Sequence, residues 1–340
     1  MMQYRPLLLG ILLISTLAAD KPARSLISSA NAGVKLSDDQ AGSIETKLRK
    51  TPDDPELHAQ LLGYFQARKT GEHEARTKQI LWMIANRPAD TITTTAYCMI
   101  DAADDPDDYA KAKEAWDSQL GSHSTDPVIT ANGAAFRAVA DFPDAQSLLE
   151  KAESLDPKNE LWPERLAQLD EQRMAKYPAE AATLAADALG QRQSAYKLTP
   201  DPQRRFHVLI HMPEDAMLSE NLIQARRLGN QLVGTAEKFQ NDPEYGDAIH
   251  RGNIVLGEES LEAGNVDRAE QYLAAAGDTP GSASLATVGP DLHLAKRLLA
   301  RGERTAVRSY LAQCTKFWKD GEQRLKDWIS ALDTGGTPAW

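Results

Sequence analysis

Aromatic side chains are scarce in this sequence: Phe, Trp and Tyr together make up 6% of its 340 residues. Runs of β-branched residues are also rare. Strands draw on both groups, so their shortage removes the main case for a sheet. Cysteine is nearly absent, with Cys98 and Cys314 the only two. A disulfide-stapled scaffold and a zinc site built on paired CxxC motifs are therefore excluded. Positive charge is in deficit, with 38 Lys and Arg against 49 Asp and Glu and a net charge of −11. Nucleic acid and anionic lipid both require basic patches, so neither is an expected partner. What remains is rich in Ala, Leu, Glu, Gln, Arg and Lys, the residues that lose least on entering a helix. The composition predicts an all-α protein.

The one long apolar run lies at the N-terminus. A short segment carrying Arg5 leads into an apolar stretch from Pro6 to Leu17, closed by the small residues Ala18 and Ala19 before Asp20. This is the three-part layout of a secretory signal peptide over residues 1–19. The stretch is shorter than the roughly 20 residues that a spanning helix needs. Cleavage is expected to release a periplasmic or secreted protein with no membrane insertion. The alternative is an uncleaved N-terminal anchor. No cysteine stands near the cut to carry a lipid.

Small residues recur at a fixed spacing. Gly133 is followed three residues later by Phe136 and twelve later by Ala145, then by Leu149, Ala152 and a closing Pro157. Gly257 stands twelve before Ala269, with Leu273 and Ala276 following; Gly63 stands twelve before Ala75. This spacing resembles the tetratricopeptide repeat, a helix pair of about 34 residues. The small positions let two helices approach where they cross, and Pro ends the second helix. A generic helical bundle is the competing reading. The expected fold is an all-α, tetratricopeptide-like α-solenoid of antiparallel helix pairs coiled as a right-handed superhelix. In such an elongated array Cys98 and Cys314 are expected far apart, as buried thiols.

Local signals agree. Asp54-Pro55, Asp105-Pro106, Asp126-Pro127, Asp201-Pro202 and Asp242-Pro243 each place a capping Asp and an N1 Pro ahead of an apolar-periodic stretch. Gly71, Gly264, Gly302 and Gly335 follow helical segments, as C-terminal glycines do. Residues 20–35 read as a flexible linker. Residues 36–199 and 200–333 read as N-terminal and C-terminal helical arrays, with a poorly fitting joint near 200–220. Residues 334–340 read as a flexible tail.

The last third carries a closer likeness. Gly246-Asp247-Ala248-Ile249-His250-Arg251-Gly252-Asn253-Ile254-Val255-Leu256-Gly257, then Ala276-Gly277-Asp278-Thr279-Pro280-Gly281-Ser282 and Val288-Gly289-Pro290, run into Leu292-His293-Leu294-Ala295-Lys296. This resembles a group of exported bacterial tetratricopeptide proteins without an assigned activity. The resemblance covers about residues 245–330, with a looser echo at 50–90. It implies a bacterial envelope or secreted protein and supplies no catalytic residues.

Candidate chemistry is sparse. His207 and His211, four apart, would share one helix face and could begin a metal site. The third ligand is missing, since Val208 follows the first His and Pro213 is expected to end the helix before Glu214. The acidic run Asp101, Asp104, Asp105, Asp107 and Asp108 puts Pro106 and Ala112 where a calcium loop needs Gly and Glu. The glycines at 229, 234, 252 and 257 lack the Lys of a phosphate loop, and no nucleophile motif is present. Trp82, Trp116, Trp318 and Trp328 read as core, and Trp162 as partly exposed. Asn132, His250 and Asn253 fall on first helices, where ligands dock in this architecture; the competing reading is that they bond turns of neighbouring units. The expectation is a non-catalytic scaffold, without cofactor, that binds a protein or peptide on its concave surface. The alternative is a metal-dependent or ligand-binding helical protein, using His207 and His211 or taking a glycan or small molecule in the groove.

Overall fold

The computed structural model describes residues 25–68 and 73–340. The expected signal peptide, the first residues of the expected linker and Gly71 lie outside them. The described residues form seventeen α-helices and no strand. They divide into two compact units that part between Lys158 and Asn159. The joint expected near residue 200 falls inside the second unit, where consecutive helices pack on one another without a break.

The first unit contains α1 (Leu26–Gly33), α2 (Asp38–Leu48), α3 (Pro55–Ala67), α4 (His73–Asn86), α5 (Pro106–Ser122), α6 (Pro127–Arg137) and α7 (Phe142–Leu155), with a 3₁₀ turn at Thr91–Thr94. The linker reading of residues 20–35 is corrected by α1, which packs closely on α3. Two glycines permit this contact. A Cβ on Gly63 would stand 1.8 Å from the Ala30 carbonyl oxygen, and one on Gly33 would stand 2.0 Å from that of Gln60. Gly63 therefore serves a crossing with α1, and Ala75 on α4 is only half-buried. The core joins Leu62, Ile80, Met83, Trp116 and Phe136, with Tyr109 stacked on Phe136 at 4.9 Å. Cys98 is buried in it as a free thiol, pushed up to about 12 by burial.

The second unit contains α8 (Leu161–Lys176), α9 (Ala181–Leu198), α10 (Pro202–Leu218), α11 (Leu222–Ala236), α12 (Tyr245–Glu262), α13 (Val266–Gly277), the short α14 (Ala283–Thr287), α15 (His293–Ala300), α16 (Arg304–Cys314) and α17 (Glu322–Asp333). From α8 to α13 each helix packs on the next, and α10 also touches α12 directly across the intervening helix. The twelve-residue spacing places Gly257 and Ala269 at the α12–α13 crossing. A Cβ on Gly257 would lie 3.4 Å from the Ala269 carbonyl oxygen and 2.2 Å from Leu294 Cδ2. Ala269 and its counterpart Ala145 have no exposed surface. Each unit is thus an all-α stack of helix pairs with small residues at the crossings, of the tetratricopeptide-like α-solenoid class.

Most local signals hold. The carboxylates of Asp54, Asp126 and Asp201 accept from backbone N–H groups of the turns that follow them. Gly264, Gly302 and Gly335 adopt positive φ after α12, α15 and α17, where a side chain would be strained. Four details depart from expectation. Helix α10 runs through Pro213 to Leu218, because packing of its buried Phe206, Leu209 and Met212 outweighs one lost backbone bond. Asp105 caps nothing and instead meets His73 at 3.0 Å. Trp162 is buried. The expected flexible tail folds back: Trp328 Nε1 donates to the Ala339 carbonyl, Arg304 donates to the Gly336 carbonyl, and Trp340 packs edge-on against Trp328.

Candidate functional site

The densest charge in the second unit begins with Arg192 on α9, whose side chain is 3% exposed. Its guanidinium forks between two helices, donating to Asp215 on α10 and to Glu171 on α8 at 2.5 Å. A guanidinium bound through two nitrogens to separate carboxylates fixes their spacing. Burial pushes the Asp215 carboxyl up to about 7 against the opposing pull of Arg192. Burial also opposes the charge on Arg192, and Glu171 and Asp215 more than offset it, leaving its pKa raised.

From this fork a ladder of ion pairs runs across the first helices of successive pairs. Arg204 on α10 reaches back to Glu160 and Glu164, both at 3.3 Å. Arg251 on α12 donates to Glu214 on α10 at 2.7 Å. Arg297 on α15 bonds Glu258 and Glu262 on α12, while His293 meets Glu258 at 3.0 Å. In each of these arginine rungs the acid lies on or just before the earlier helix and the base on the later one. Helical geometry gathers these side chains into stripes. Glu164 and Glu171 on α8, Arg204, His207, His211 and Glu214 on α10, and Asp247, Arg251, Glu258 and Glu262 on α12 each recur at steps of three, four or seven residues.

Together the stripes form a crowded, part-exposed face. Burial is the largest influence on the pKa of Glu164, His211, Glu214 and Arg251. Yet these side chains keep 29%, 25%, 45% and 32% of their surface accessible. Burial raises Glu164 and Glu214, with Arg204 and Arg251 opposing. It lowers His211 well below the usual imidazole range, and Arg192 and Arg251 add to the effect. On the same stripe as Arg251, Asp247 is 3% exposed and its Oδ2 accepts no hydrogen bond. Burial and Asp247 together push neighbouring Glu244 up.

The three residues read from sequence as partner-binding, Asn132, His250 and Asn253, are not members of these stripes. Asn132 is buried, and its amide donates to the Pro88 carbonyl at 3.0 Å. His250 is buried with both ring nitrogens engaged: Nδ1 donates to the Ala276 carbonyl at 3.0 Å, and Nε2 accepts from the Asp291 N–H at 3.1 Å. That pattern assigns a neutral ring, and burial lowers its pKa. Asn253 bonds the Ile249 carbonyl of its own helix at 2.8 Å and borders an open depression with Arg268 and Tyr272. All three are buried and each has a hydrogen-bond partner within its own unit. His207 and His211 diverge, the first held by Asp242 at 2.9 Å and the second 3.7 Å from Glu171. Asp242 is therefore a link between α10 and the start of α12 rather than a simple cap; it also accepts from Gln203 at 2.6 Å. Among the described residues, no three His, Cys, Asp or Glu side chains converge as metal ligands. The acidic run is spread over turns and the start of α5, with Asp108 bonded to Thr77 and Lys111.

Sequence reasoning misses most of these residues because each looks like an ordinary solvated charge; of them it draws out only His207, His211 and Glu214, as candidate metal ligands. A signal is present all the same. The rungs Glu164–Arg204, Glu214–Arg251 and Glu258–Arg297 join residues 40, 37 and 39 apart. Acid and base thus recur about one repeat length apart.

No protein-family model matches the chain, and no curated protein matches it in sequence. Among solved structures, the crystal structure of yeast Tom70 is similar over 92% of this chain and 70% of the Tom70 chain, with 16% identity and a TM-score of 0.35.

Proposed function

We propose that this chain is an exported, non-catalytic scaffold that binds a protein or peptide partner in a groove lined by α8, α10, α12 and α15. The observation that carries the reading is the ladder itself: charged side chains, part-exposed and pre-ordered by ion pairs, on the first helices of four successive pairs. Each pair offers one strip of a continuous surface, which suits an extended segment. Side chains already held in place lose little further freedom on binding. Among the described residues, no helix is long and apolar enough to cross a membrane. Export is read from the signal-peptide layout of residues 1–19, and N-terminal sequencing of the secreted product is expected to begin at Asp20.

Photo-crosslinking side chains placed at His211 and Arg297, with a control at exposed Arg227 on α11, test the binding surface in an envelope extract. Discrete protein adducts are expected from the two groove positions. Adducts from Arg227 alone, or none from the groove, would sink the proposal.

A further inference from the structure

We infer that the groove takes a cationic, extended segment, with lysine or arginine at about every third residue. This rests on the groove being the partner site. Two of its arginines each face two acids across the helix pairs. Arg204 is shared by Glu160 and Glu164, and Arg297 by Glu258 and Glu262. A carboxylate has about four acceptor positions, and one guanidinium shared between two acids leaves several unfilled. Asp247 is a second, independent sign. Its Oδ2 is buried on the Arg251 stripe and receives no donor from the protein. Glu244 beside it is another acid, able to donate only when protonated. A buried acceptor of this kind is expected to have a partner, and a Lys or Arg head laid in the groove would supply one.

The spacing follows from geometry. α10 and α12 pack directly on each other, and packed helices stand about 8–10 Å apart. A segment extended in the polyproline II form advances about 3.1 Å per residue and returns every third side chain to one face. Side chains three apart therefore meet successive stripes. A cleft with low-dielectric walls focuses the field of its surplus carboxylates, which favours capture of a cation.

Fluorescence anisotropy with the purified full-length protein tests this, using three labelled peptides of equal length. One carries Lys at every third position, one carries Glu there, and one carries Ser. The Lys peptide is expected to bind about tenfold tighter than the others and to weaken steeply with added salt, as screening predicts. The double variant Glu164→Gln/Glu262→Gln is expected to weaken the Lys peptide about fivefold, the scale of two part-exposed charge pairs. Arg297→Gln acts in the opposite direction, freeing two carboxylates, and is expected to tighten the Lys peptide. It keeps the inference testable if the double variant does not fold. Equal binding of the Glu or Ser peptide, or Arg297→Gln weakening the Lys peptide, would overturn the inference. Groove crosslinks to a partner segment without basic residues would overturn it too, while leaving the scaffold reading in place.

Discussion

Each unit buries one arginine between two carboxylates, and the two settings differ in what the acids see. In the first unit Arg137 on α6 is 3% exposed, but its partners Asp117 and Asp144 retain 58% and 35% of their side-chain surface. In the second unit Arg192 is equally buried, while Asp215 retains only 3%. The same fork therefore staples surface acids in one unit and neutralises an interior acid in the other. An acid that faces water can recover its hydration when its partner is lost, and a buried one cannot. The crossings differ in parallel. Gly63 brings backbone against backbone at Ala30, whereas Gly257 faces mainly the end of the Leu294 side chain.

The largest effect is expected at Arg192. Arg192→Ala strands the Asp215 carboxylate and should cost about 3–5 kcal/mol in denaturant unfolding. Arg137→Ala should cost about 1–2 kcal/mol, the scale of charged hydrogen bonds whose acids are rehydrated. Equal losses would erase the distinction between the forks. Next come the glycines. Gly63→Ala meets a fixed carbonyl and should cost about 2–3 kcal/mol. Gly257→Ala meets a rotatable methyl and should cost about 1 kcal/mol. A smaller penalty at Gly63 would show that α1 is free to shift.

The smallest effect is a pH dependence of the second unit. His211 and His250 are held below the ordinary imidazole value near 6.5. As pH falls below about 6.5 the unfolded chain takes up protons that the folded one refuses, so stability is lost on acidification. His293 works the other way. Its bond to Glu258 raises it, giving stability that is present below about 6.5 and lost as pH rises through its folded value. Asp215, raised to about 7, acts in the same direction as His293, so the net slope is a balance of the two sets. His250→Gln is expected to remove one acid-destabilising contribution and to raise hydrogen-exchange protection around α12 at pH about 5 relative to pH about 7.5. An unchanged slope would mean His250 is not the titrating group.

These contrasts also mark what the sequence can disclose. The helix pairs are readable because their signals are local. Asp54, Asp126 and Asp201 stand directly before Pro55, Pro127 and Pro202, and the small residues Gly257 and Ala269 stand twelve apart. Helix α1 is obscured because Ser, Ala, Asn and Gly also compose linkers; its order comes from contact with α3. Pro213 misleads because a proline inside a helix is costly, and only tertiary burial explains its presence. The ladder stays hidden because a charge shows its partner only once the chain is folded. Asn132 and His250 draw notice as polar residues on first helices, and burial with internal partners is what their positions provide.

Because each arginine rung of the ladder sets acid on or just before the preceding helix and base on the succeeding one, its joints are interchangeable in sign. Duplicating or excising the α12 hairpin would again oppose carboxylate to guanidinium at the new seam, Glu214 meeting Arg297 where α12 to α14 were removed. Such an array can change length over generations without first inventing a compatible neighbour.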